Sequence, residues 1–149
     1  MPPLLRMKDF PVERPHGRLL HVGCGWGKLP DEPAFSDLKE VRLDIERACE
    51  PDILASATSL GDIGAFQVVF ACHVVEHLFP HEVPVALGEF LRVLNDGGHG
   101  IVMVPDLQGI EANDTPLLYA EDGPITGLDL IYGWSHAVKS SLHWAHHTG

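Results

Sequence analysis

Three glycines alternate with larger residues in the string Gly23-Cys24-Gly25-Trp26-Gly27. Glycines at the end of a strand clear side chains from the turn, so a ligand can come close to the backbone amides. The spacing is GxGxG, and Lys28 stands where a dinucleotide fingerprint GxGxxG would have its third glycine. Asp44 follows 17 residues after Gly27, near the roughly 20-residue distance at which an acid accepts both ribose hydroxyl protons. A glycine turn can simply reverse the chain, and an aspartate can simply cap a helix; together they favour a nucleoside ligand. A third constellation, His73-Val74-Val75-Glu76-His77, matches HxxEH, a zinc pattern in which histidines at i and i+4 share one helix face. A catalytic zinc needs a third protein ligand and outer support, so no metal is expected here.

These residues need elements to hold them. The apolar run over 18–22 (RLLHV) stops at the glycines and predicts a buried first strand. Pro30 and Pro33 leave room only for a short helix over 36–40, with Ser36 as its cap. Further strands are predicted over 41–45, 53–57 and 67–72, the last rich in β-branched residues. Over 81–94, Val83, Leu87, Phe90, Leu91 and Leu94 recur at helical spacing. That helix should stop at the glycine turn 95–98, before a fifth strand over 101–104 that Pro105 closes. A short helix over 126–132 is the one regular element expected in residues 107–149. Apolar strands separated by helices imply an α/β doubly wound, mainly parallel sheet, whose ligands bind beyond the strands' carboxyl ends.

The strings LLHVGCGWG, VRLDIE, FQVVFACHVVEHL, EFLRVLNDGG and GIVMVPD, in this order, resemble class I S-adenosylmethionine-dependent methyltransferases, most closely small bacterial methyltransferase-domain proteins. The resemblance covers residues 18–106 and implies a Rossmann-like fold with S-adenosylmethionine as cofactor and S-adenosylhomocysteine as product. It implies that Gly23, Cys24, Gly25, Trp26 and Gly27 pass beneath the methionine part, that Asp44 holds the ribose and that Ile45 lies against the adenine. Ala57 and Thr58 would edge the adenine. Cys72 and His73 would face the transferred methyl, with His77 close behind. Two places where many relatives carry an acid hold His21 and Ser56. Where the acceptor has a proton to lose, His73 is the first candidate base and Asp106 the second.

A complete domain of this class continues after the fifth strand into a helix and an antiparallel strand pair, and 43 residues follow Asp106. The sheet is therefore expected to lack its last strands, and its open edge to invite a homodimer. That shortness also raises a second reading, a cofactor-binding or interaction module without turnover. A nicotinamide-dependent oxidoreductase shares the fold and the ribose acid, but the GxGxG spacing counts against it.

With 149 residues the chain is expected to be a single domain, its first 17 residues a proline-rich arm. A formal net charge of -11 disfavours nucleic acid and anionic membranes as partners. The absence of a long apolar run or signal-peptide pattern points to the cytoplasm. Cys24, Cys49 and Cys72 are expected to be reduced, and His143, His146 and His147 to belong to a solvated tail. The acceptor's identity does not follow from these residues.

Overall fold

The computed structural model describes residues 16–120 and 123–132. Five strands form one sheet in the order β3-β2-β1-β4-β5, with β1 (Gly17–Val22) at the centre. β2 (Leu38–Asp44) and β3 (Ile53–Leu54) lie on one side, β4 (Phe66–Cys72) and β5 (Leu94–Met103) on the other. Every pairing within it is parallel. The expected Rossmann-like parallel sheet is therefore present, and a parallel sheet needs cover on both faces.

Period-two alternation decides which residue serves which face. Leu20 and Val22 of β1 join Leu43, Val69 and Ala71 in the larger core, closed by Ala86, Phe90 and Val93 of the helical segment. Leu19 points the other way, into a smaller cluster with Phe35, Val68 and Phe70. Helix α1 (Val83–Arg92) connects β4 to β5. Among the described residues the opposite face is covered over Leu19 by the 3-10 turn Pro33–Phe35, whose Phe35 ring meets Phe70 edge-on at 5.6 Å.

Several sequence expectations shift. No helix spans 36–40: Ser36 returns its hydroxyl to the Pro33 carbonyl, 2.9 Å away, and the chain enters β2 at Leu38, opposite Gly17. The expected strand over 53–57 stops at Leu54, because the Ser56 hydroxyl takes the Thr58 amide and folds the chain into a turn. α1 is shorter than 81–94; of its expected stripe Phe90 is buried, with Ala86 beside it, whereas Leu87 and Leu91 are exposed. Residues 95–98 are no helix-ending turn but part of β5. A bulge between Phe66↔Leu94 and Val68↔His99 takes up the extra residues.

After β5, residues expected to be irregular form an antiparallel pair, β6 (Pro116–Ala120) and β7 (Gly123–Thr126), separate from the main sheet. The expected short helix follows as α2 (Gly127–Tyr132). Thr126 and Asp129 cap it reciprocally, the Asp129 carboxylate accepting from the Thr126 amide and the Thr126 hydroxyl from the Asp129 amide. Among the described residues no helix is long and apolar enough to cross a membrane. Most of the arm, Trp134, Trp144 and the histidines at 143, 146 and 147 lie outside the described residues.

Candidate functional site

The carboxyl ends of β1, β2 and β4 come level with one another, since Val22 pairs with Leu43 on one side and Ala71 on the other. The glycine turn leaves β1 at this level. Gly23 and Gly25 have φ of +62° and +48°, a region in which side chains are strained. A Cβ on Gly23 would also collide with a Val74 methyl group. Glycine at 23 thus lets the turn after β4 rest directly on the turn after β1. Trp26 is 67% exposed beside this turn.

Asp44 ends β2 and is only 5% exposed. One carboxylate oxygen accepts from the Gly25 amide and the other from the Glu46 amide, each at 2.8 Å. The acid is thus fixed to the glycine turn it was expected to serve. Arg42, two residues earlier on β2, donates to the Gly25 carbonyl at 2.6 Å and to the Gly27 carbonyl at 2.8 Å. Ile45 is exposed, and the Ala55 amide donates to the Asp44 carbonyl, bringing the segment with buried Ala57 and half-buried Thr58 alongside. Ser56 bonds Thr58, hydroxyl to hydroxyl, at 2.9 Å. His21 bonds Glu40 at 2.7 Å and meets Phe70 edge-on in the sheet.

Two buried thiols adjoin the acid. Cys49 follows β2 in a 3-10 turn, Arg47–Cys49, and its thiol donates to the Glu46 carbonyl. Burial first, and then the Asp44 charge among its neighbours, pushes the Cys24 thiol up to about 11 despite Arg42. Burial and Asp44 raise Cys49 as well.

At the end of β4 the backbone turns sharply. His73 has φ +55°, a conformation uncommon outside glycine, and its amide donates to the Met103 carbonyl at the tip of β5. Its Nδ1 lies 2.9 Å from a Glu76 oxygen, while the other Glu76 oxygen is buried without a hydrogen-bond partner. Burial, then Glu76, raises the Cys72 thiol. His77 sits in a 3-10 turn, Val75–His77, rather than one turn along a helix. The helical premise of the HxxEH pattern is therefore absent. Asp106 lies three residues beyond β5, exposed, with its carboxylate on the Gln108 amide.

Gly23 to Gly27, Asp44, Ile45 and the 55–58 segment are thus gathered around the β1 and β2 ends, and Cys72, His73 and His77 around the β4 end. Sequence reasoning missed three participants. Arg42 carries a signal, an arginine sharing a strand face with the acid two residues on. Glu76 was considered only within the metal pattern. Cys49 has no sequence signature, because tertiary packing alone brings it to Cys24.

A Rossmann-like sheet with a glycine turn after its central strand and a buried acid ending the next defines the class of protein. A family model described as a methyltransferase domain matches residues 20–102. A search among curated proteins finds no match. The fold is similar to that of an S-adenosylmethionine-dependent methyltransferase of Clostridium acetobutylicum. The two share 13% identity with a TM-score of 0.58, over 71% of this chain and 50% of that one. It is also similar to a protein of Pyrococcus horikoshii, at 22% identity and a TM-score of 0.52, over 64% of this chain and 49% of that one. The chain spans about half the length of each of these structures. It belongs to the methyltransferase domain family.

Proposed function

We propose that this chain binds S-adenosylmethionine at the ends of β1, β2 and β4 and transfers its methyl group to an acceptor. The observation that carries this reading is the state of Asp44: a buried carboxylate held by two backbone amides, with a second lone-pair direction left on each oxygen. Such an acid is preorganised to receive two ribose hydroxyls without moving. Exposed Ile45 offers an apolar surface for the adenine, edged by Ala57 and Thr58. Gly23, Cys24, Gly25, Trp26 and Gly27 line the methionine part, and Cys72, His73 and His77 the methyl end.

S-adenosylmethionine supplies a methyl group already activated on a sulfonium, so alignment provides most of the catalysis. When bound, S-adenosylmethionine would supply the methyl group and keep the carbon–sulfur bonding pair on its sulfur, and an acceptor oxygen or nitrogen that takes the methyl would have a proton to release. His73 takes it. With Nδ1–H donating to Glu76, Nε2 keeps its lone pair as the base. Asp106, engaged with the Gln108 amide, is the reserve candidate.

The test is calorimetric titration with S-adenosylhomocysteine of the wild-type chain and of Asp44→Ala, with circular dichroism to verify folding. Saturable binding lost in a folded variant supports the site. No binding by the folded wild type refutes it and leaves the module without turnover. The remaining expectations accompany this reading: a homodimer through β5, one of the two edge strands among the described residues, an acidic surface that avoids nucleic acid, and a reducing cytoplasm suited to three free thiols.

A further inference from the structure

Two residues of the proposed cofactor site, Cys24 and Asp44, also form a cluster with Cys49. Its members come from three separate pieces of chain: the glycine turn, the end of β2 and the 3-10 turn that follows. All three are buried, and one ligand atom from each lies within 4.8 Å of the others. We propose that Cys24, Cys49 and Asp44 form a site for a thiophilic divalent cation such as Zn2+, and that this cation and a nucleoside at Asp44 exclude one another. The second half rests on the cofactor reading given above; the first does not.

Donor type, spacing and charge argue for the cation. Two sulfurs and one carboxylate oxygen are a suitable three-ligand set for zinc, with a fourth position left to water. Zinc–sulfur bonds of about 2.3 Å in a tetrahedron set the sulfurs roughly 3.8 Å apart, so from within 4.8 Å the two sulfurs need to approach by about 1 Å or less. Asp44 already has the outer support that orients a ligating carboxylate, namely the Gly25 and Glu46 amides at 2.8 Å. Arg42 provides the charge balance. Two thiolates and a carboxylate are neutralised by a divalent ion together with the Arg42 guanidinium, which is anchored nearby on the Gly25 carbonyl. Binding replaces both thiol protons, which leave to solvent.

The exclusion follows from geometry. One of the two lone pairs that Asp44 would offer to ribose hydroxyls is the one that would ligate the ion. The ion would also tie Cys24, and with it the glycine turn, to the turn carrying Cys49. A thiophilic metal thus acts as an inhibitor that competes with the nucleoside.

The experiment uses the full chain kept reduced with a phosphine and titrated with Co2+, whose thiolate complexes show a sulfur-to-metal charge-transfer band in the near ultraviolet. Histidine ligation elsewhere gives no such band. The expected result is saturation at one cobalt per chain, with the intensity of two thiolates, which needs no variant to read. In Cys49→Ser the intensity should fall to that of one thiolate with at least about tenfold weaker binding, whereas Cys72→Ser should leave the band unchanged. Absence of the band in wild type, or its survival in Cys49→Ser with loss in Cys72→Ser, overturns the site. S-adenosylhomocysteine is then added to the cobalt form. Bleaching of the band supports exclusion, and an intact band with the nucleoside bound by calorimetry overturns it. Should S-adenosylhomocysteine fail to bind even the metal-free chain, exclusion falls together with the cofactor reading, while the cobalt band still decides the metal site.

Discussion

His73 combines an uncommon backbone conformation with a carboxylate partner at the end of a central strand, and such strain tends to collect where function requires it. Glu76 should select the tautomer with the proton on Nδ1. Long-range proton–nitrogen NMR is expected to find that tautomer dominant in wild type and mixed in Glu76→Gln. With an acceptor that turns over, His73→Asn should lower kcat by about 100-fold or more while affinity for S-adenosylhomocysteine stays unchanged. Gly23 makes a different prediction, because both its positive φ and the Val74 methyl oppose a side chain there. Gly23→Ala should cost roughly 1–3 kcal/mol of stability, read from urea unfolding.

Among the elements, α1 holds the larger face of the sheet through Phe90, which is 3% exposed. Phe90→Ala should cost about 3–5 kcal/mol in the same unfolding measurement. The helix is also tied to the β3–β4 connection through Glu89, which accepts from the Leu60 amide at 2.8 Å and pairs with Arg92, itself bonded to the Gly61 carbonyl. The Arg92 hydrogen bonds, then the Leu60 amide, hold the Glu89 carboxyl down to about 2 from its ordinary 4.5. A group depressed in the folded state contributes stability that is complete above pH 4.5 and lost as pH falls toward 2. The urea midpoint of wild type should therefore drop more steeply over that window than that of Glu89→Gln. The sequence was informative where residue type itself is the signal: glycines at a strand end, an acid ending the second strand, β-branched runs. It misled where packing chooses. Leu87 and Leu91 match the helical stripe as well as Phe90 does, and only packing against the sheet decides that Ala86 is buried with Phe90 while those leucines are exposed. The Cys24–Cys49 approach depends on two turns folding against each other, which no local pattern encodes.

At the scale of the whole molecule, β5 borders the sheet, with Val102 and Met103 exposed along it. Pairing of two such edges predicts a particle of twice 16.3 kDa by analytical ultracentrifugation; a monomer at high concentration would refute the β5 dimer. The same strand order has a consequence for synthesis. β1 is made first among the strands yet lies between β2 and β4, and it pairs Leu19 with Val68, about 50 residues further along. A nascent chain emerging at about 5–20 residues per second therefore leaves one side of its central strand unpaired for several seconds. The centre of the sheet thus stays half-built while the ribosome is still at work, and a chaperone that shelters apolar strands is expected to meet the chain there.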